Sequence, residues 1–215
     1  MDIDDRVSGT GPENYPDDDG SVPEVRTVTH VHGLNVAPGD DGQADMWKSS
    51  DGGTGLRLSK YVHDIPNRQS RLTSTYHDHA RGISRLNVYA GLAGFHLMTS
   101  QREEQLELPT GEHDVPLMLQ DRSFNEDGTL HYPSSFVPNV AGDTAVVDGA
   151  VWPYLEVEPR RYRFRFITVS NGRAFDLRLA NESSGSDVPT LYHIAAGHGF
   201  LDRVVEIGPD RDSSR

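Results

Sequence analysis

Cysteine is absent from the 215-residue chain. That excludes disulfides, a thiolate nucleophile and Cys-ligated metals, so any metal held here must sit on histidine and carboxylate. Lysine is nearly absent as well, with only Lys48 and Lys60. The 33 acidic residues outweigh 20 basic ones, and the formal net charge of −13 makes nucleic acid an unsuitable partner. So acidic and lysine-poor a surface fits concentrated salt, where screening relieves self-repulsion. A halophilic source is expected, with an ordinary acidic soluble protein as the alternative.

Long hydrophobic runs are missing too. The most apolar stretch, residues 88–98, contains His96 and is too short to span a bilayer, so no membrane partner is expected. No signal peptide is visible, because Met1 is followed by Asp2, Asp4 and Asp5 where a basic segment and an apolar core would stand. The compartment stays open. Sustained helical periodicity is lacking, whereas 21 glycines and 13 prolines suit a turn-rich, all-β protein.

Residues 1–21, rich in Asp, Gly and Pro, read as an acidic loop or disordered arm. The β-branched run from Val25 to His32, broken at Gly33, reads as a strand. A Gly/Asp-rich loop carrying Trp47 follows. Residues 87–99 are expected as a strand on the strength of Val88, Tyr89 and Phe95, and residues 101–112 as a linker. Leu117-Met118-Leu119 reads as a buried strand, and Val146-Val147 runs into a turn at Asp148-Gly149. In Tyr162-Arg163-Phe164-Arg165-Phe166-Ile167 aromatics alternate with arginines, which predicts aromatics inside and arginines outside.

Two His-x-His pairs carry the chemistry: His30/His32 and His77/His79, separated by 44 residues. On a strand, residues i and i+2 share a face with Cα atoms roughly 6.5 to 7 Å apart. That spacing suits neighbouring metal ions better than a grip on one compact ion. Four neutral imidazoles without thiolate fit copper, zinc or nickel, while isolated His-x-His pairs also arise by chance.

The surroundings of both pairs resemble the multicopper oxidases, especially the spore-coat laccase and bilirubin oxidase branch. The matching blocks, in order, include Pro23-Glu24-Val25-Arg26-Thr27-Val28-Thr29-His30-Val31-His32-Gly33, Tyr76-His77-Asp78-His79-Ala80, Arg85-Leu86-Asn87-Val88-Tyr89-Ala90-Gly91-Leu92, Asp121-Arg122-Ser123-Phe124-Asn125-Glu126-Asp127-Gly128 and Val151-Trp152-Pro153-Tyr154-Leu155. The resemblance implies cupredoxin-like Greek-key β-barrels, both incomplete here: part of one over 22–100 and part of a second over 113–215. It implies copper, with His30 on a type 2 ion and His32, His77 and His79 on a type 3 pair. It also implies dioxygen as oxidant and a reducing substrate that stays open among phenols, bilirubin-like pigments and metal ions. Asp41 is the nearest match to an acidic residue that supplies protons in the family, and a loop aspartate is the alternative. Relatives are often secreted or at the cell surface.

Other residues are expected in ordinary roles: Asp78 as an exposed aspartate, with hydrogen bonds to the backbone or to groups beside the ligands as the alternative; His63, His96, His113, His131 and His193 at the surface or in packing; His198 in a turn; Trp47 and Trp152 in packing. Family members have strands before the first pair, usually an aromatic where Thr75 stands, and a third domain with the type 1 copper, whose thiolate this chain lacks. The expectation is therefore half of a copper cluster, as a fragment of an oxidase. A subunit completed by a separately encoded third domain and a non-catalytic copper-binding module are the alternatives.

Overall fold

The structure, a computed structural model, describes residues 25–69, 72–135, 137–179, 188–197 and 199–208. The arm expected over 1–21 and the turn expected at His198 lie outside the described residues.

The β-branched run after Val25 makes two strands, β1 (Arg26–Thr27) and β2 (Thr29–Val31). They part at Val28, whose N–H donates to Asp78 Oδ1 at 2.9 Å and whose carbonyl accepts the His79 N–H at 2.9 Å. As a result β1 pairs with β3 (Lys48–Ser49), while β2 pairs with β4 (Leu72–Asp78). On its other edge β4 takes β5 (Ala93–Met98), giving the order β2-β4-β5. Beneath lies a core of Val28, Met46, Trp47, Ala80, Ile83 and Leu86. Trp47 is in packing, as expected, whereas Trp152 is 70% exposed.

The single strand expected over 87–99 is corrected. Val88 and Tyr89 belong to helix α1 (Ser84–Tyr89), and only Ala93–Met98 is extended. Tertiary contacts outweigh the β propensity of these residues. Asn87 Nδ2 donates to Arg26 O at 2.9 Å, Tyr89 Oη donates to His131 O at 2.8 Å, and the Arg122 guanidinium lies 4.6 Å over the Tyr89 ring. Gly91, at φ 108°, then turns the chain into β5.

Residues 101–112 hold a short helix α2 (Gln101–Glu104) and the start of a 3-10 turn (Gly111–His113). The second sheet centres on β6 (Asp114–Phe124), which pairs with the hairpin strand β7 (Leu130–His131) and antiparallel with β8 (Thr144–Val147). Strand β9 (Ala150–Val151) returns through Asp148 and Gly149, both at positive φ (49° and 82°), which is the turn expected there. On the far edge β10 (Arg163–Thr168) runs parallel to β6. A separate hairpin joins β11 (Leu191–Ala196) and β12 (Gly199–Ile207). No helix among the described residues is long and apolar enough to cross a membrane.

Strand β10 inverts the expected facing. Arg163 and Arg165 are buried, while Phe164 and Phe166 are exposed and stack with Tyr162 in one outer row. Alternation marks two faces without saying which is inner. Here carboxylates decide: Glu103 of α2 meets Arg163 at 2.5 Å and Arg165 at 3.3 Å, and Asp114 meets Arg165 at 2.7 Å. Arg165 Nη1 also donates to Thr73 Oγ1 of β4 at 2.8 Å, tying the two sheets together. Burying two guanidinium groups is tolerable only with such partners.

Candidate metal centre

Strand register brings the two histidine pairs together. In the β2–β4 ladder His30 stands directly opposite His77, with Thr29 opposite Asp78 and Val31 opposite Tyr76. Past the end of β2 the His32 N–H still donates to Thr75 O of β4 at 2.8 Å. Alternation puts all four imidazoles in one cluster. Ring centroids lie 5.4 Å apart for His30/His77, 4.9 Å for His30/His79, 5.8 Å for His30/His32, and 5.9 Å for both His32/His77 and His77/His79. The ligand nitrogens of His30, His32 and His77 all fall within 4.8 Å of one another.

Backbone carbonyls fix the rings. His30 Nδ1 lies 2.6 Å from Asp41 O, His77 Nδ1 2.8 Å from Asp78 O, and His79 Nδ1 3.1 Å from Gly42 O. A carbonyl only accepts, so each Nδ1 carries the proton and donates it, leaving the Nε2 lone pair for a metal. This is a neutral, pre-oriented donor set.

Two of those carbonyls come from the Asp41-Gly42 loop, which approaches β2 so closely that a Cβ on Gly42 would lie 2.0 Å from Thr29 O. Only glycine fits, at φ 66°. The sequence drew attention to the Asp41 carboxylate, which stands 3.4 Å from His30 Nδ1. It did not reveal that the backbone of Asp41 and Gly42 orients two histidines. The Asp-Gly dipeptide was the available signal.

Asp78 takes the alternative role, bonding backbone rather than facing solvent. Expected to be exposed, it is buried, with Oδ1 on the Val28 N–H and Oδ2 on the Ala80 N–H at 3.1 Å. Its carbonyl also accepts Ser84 Oγ at 2.9 Å. The residue between two candidate ligands thus locks β4 to the chain before β2. His63, His96, His113, His131 and His193 lie outside the cluster that could hold an ion among the described residues. A cleft of about 280 Å³ has Thr29, Val31, Asp41, Tyr61 and His63 in its wall.

No protein-family model matches the chain. A laccase of Haloferax volcanii is 59% identical over 98% of this chain and 36% of its own length. A laccase of Bacillus subtilis is 44% identical over 90% of this chain and 39% of its own. The chain belongs to the multicopper oxidase family. The crystal structure of a multicopper oxidase from the hyperthermophile Aquifex aeolicus superposes with a TM-score of 0.69 and 30% identity, over 85% of this chain and 39% of that one. The chain is an all-β, cupredoxin-like assembly with incomplete sheets, spanning less than two fifths of the length of these relatives. The family is one of laccase-like oxidoreductases that use copper, and four imidazoles converging without thiolate are a donor set that suits copper.

Proposed function

We propose that this chain supplies half of a trinuclear copper centre, with His30 toward the type 2 ion and His32, His77 and His79 toward the type 3 pair. The remaining ligands come from outside this sequence. The observation that carries the reading is the His30–His77 register combined with three Nδ1 atoms held on backbone carbonyls. When bound, copper supplies single-electron steps that couple oxidation of a reducing substrate to four-electron reduction of dioxygen to water.

The chain's own residues contribute orientation and protons. The three carbonyls hold His30, His77 and His79 so that metal binding costs little reorganisation. In this reading the Asp41 carboxylate, 3.4 Å from His30 Nδ1 and in the wall of the cleft, hands protons inward from solvent. Electron uptake through a type 1 copper requires a thiolate, and with no cysteine in this sequence that site belongs to another part of the assembly. The donor is a phenol, a bilirubin-like pigment or a metal ion. A charge of −13 fits a setting of concentrated salt.

The test is copper content of the purified chain after loading and dialysis, with oxygen uptake followed in the presence of a phenol. Copper retained by the wild type and lost in His32→Ala, without turnover by this chain alone, is the expected result. No retained copper, or retention unchanged in His32→Ala, overturns the proposal.

A further inference from the structure

We infer that Ser84 is a positioning residue: its hydroxyl holds the Asp78 carbonyl that orients the His77 ring. The inference rests on the half-centre reading above and adds to it a residue outside the histidine pairs, on helix α1 rather than on either strand.

The Asp78 carbonyl can serve the ring because the β4–β5 ladder releases it. Asp78 N–H donates to Leu92 O at 3.0 Å, and in a regular antiparallel pair the Leu92 N–H would return a bond to Asp78 O. Leu92 N–H goes instead to Asn87 O of α1, at 2.9 Å. Freed in this way, Asp78 O accepts two side-chain donors, His77 Nδ1 at 2.8 Å and Ser84 Oγ at 2.9 Å. A carbonyl has two lone pairs, so both bonds form together.

The start of α1 sets Ser84 in place. A serine at a helix N-terminus ordinarily caps it from the position just before the first turn. That position is Ile83 here, with no side-chain cap, while Ser84 is one residue further in and directs its hydroxyl out of the helix to β4. The helix is itself pinned, by Ser84 N–H to Ala80 O at 3.0 Å and by Asn87 Nδ2 to Arg26 O at 2.9 Å. His30 and His79 take their acceptors from the Asp41-Gly42 loop, whereas the acceptor of His77 is the carbonyl of the next residue in its own strand. The peptide group carrying that carbonyl is held at its other end by the His79 N–H on Val28 O at 2.9 Å. Ser84 fixes the second end. Without its hydroxyl the carbonyl can pivot about the His79 bond and take the His77 ring with it, which redirects the Nε2 lone pair.

The experiment compares two variants of the full chain, Ser84→Thr, which keeps the hydroxyl, and the nearly isosteric Ser84→Val, which does not. In the metal-free protein the imidazole nitrogens and their protons are followed by NMR. Expected for Ser84→Val are faster solvent exchange and a shifted Nδ1–H signal at His77, with His30 and His79 unchanged, while Ser84→Thr behaves as wild type. Ser84→Ala, with a smaller side chain, should match Ser84→Val. Calorimetry should show copper affinity reduced about 10-fold in the two variants without a hydroxyl. Identical His77 signals in Ser84→Thr and Ser84→Val overturn the positioning role, and retained copper then leaves the half-centre reading standing. Equal disturbance of all three histidines also overturns it, because that is a general loosening of the fold. A change confined to His77 in a chain that retains no copper supports the positioning role and overturns the half-centre reading.

Discussion

Asp78 accepts the Val28 backbone N–H at 2.9 Å from across the sheet, and in doing so fixes where β1 ends and β2 begins. The carboxylate that ties these strands sits between His77 and His79, so the register of the candidate ligands depends on it. Asp78→Ala strands two buried N–H groups, those of Val28 and Ala80. A loss of about 2 to 4 kcal/mol in urea unfolding is expected, with weaker metal retention. Asp78→Asn, which keeps one acceptor oxygen, should fall between.

Gly42 gives a second prediction, separable from the first by its backbone. Gly42→Ala puts a methyl group against Thr29 O in a left-handed conformation. The loop must retreat, taking the carbonyl partners of His30 and His79 with it. Stability should drop by more than about 1 kcal/mol, and calorimetry should show weaker copper binding.

The cluster of Glu103, Asp114, Arg163 and Arg165 answers to removal more than to salt. Glu103→Ala leaves two guanidinium groups short of a partner in a buried setting and should cost about 3 to 5 kcal/mol in denaturant unfolding. Because the cluster is shielded from solvent ions, that difference should change little between low and high salt.

Asp121 contributes to the acid limb. Burial alone would raise its carboxyl, but hydrogen bonds, including those from Arg173 Nε at 2.9 Å and the Gly142 N–H at 2.6 Å, outweigh burial and hold it below the ordinary 3.8. A depressed carboxyl stabilises the fold fully above its unfolded value, and that contribution is lost as pH falls through the folded one. Unfolding midpoints should therefore decline below about pH 4, and Asp121→Asn should flatten that decline while lowering stability at neutral pH.

The sequence by itself determined the chemistry available: no thiolate, two His-x-His pairs, a β-rich chain and the family blocks around the ligands. Those follow from residue identity and short-range spacing, which do not depend on the rest of the fold. Tertiary structure decided the remainder. Alternation in β10 could not say that arginines face inward, because that depended on Glu103 and Asp114 arriving from other elements. The helix at Val88 and Tyr89 depended on Arg26, Arg122 and His131, all distant in sequence. The cluster itself needed β2 and β4 in register, with His30 opposite His77, and the carbonyls of Asp41 and Gly42 brought over by a loop tight enough to require glycine. A sequence names the donors, but only long-range contacts aim their lone pairs.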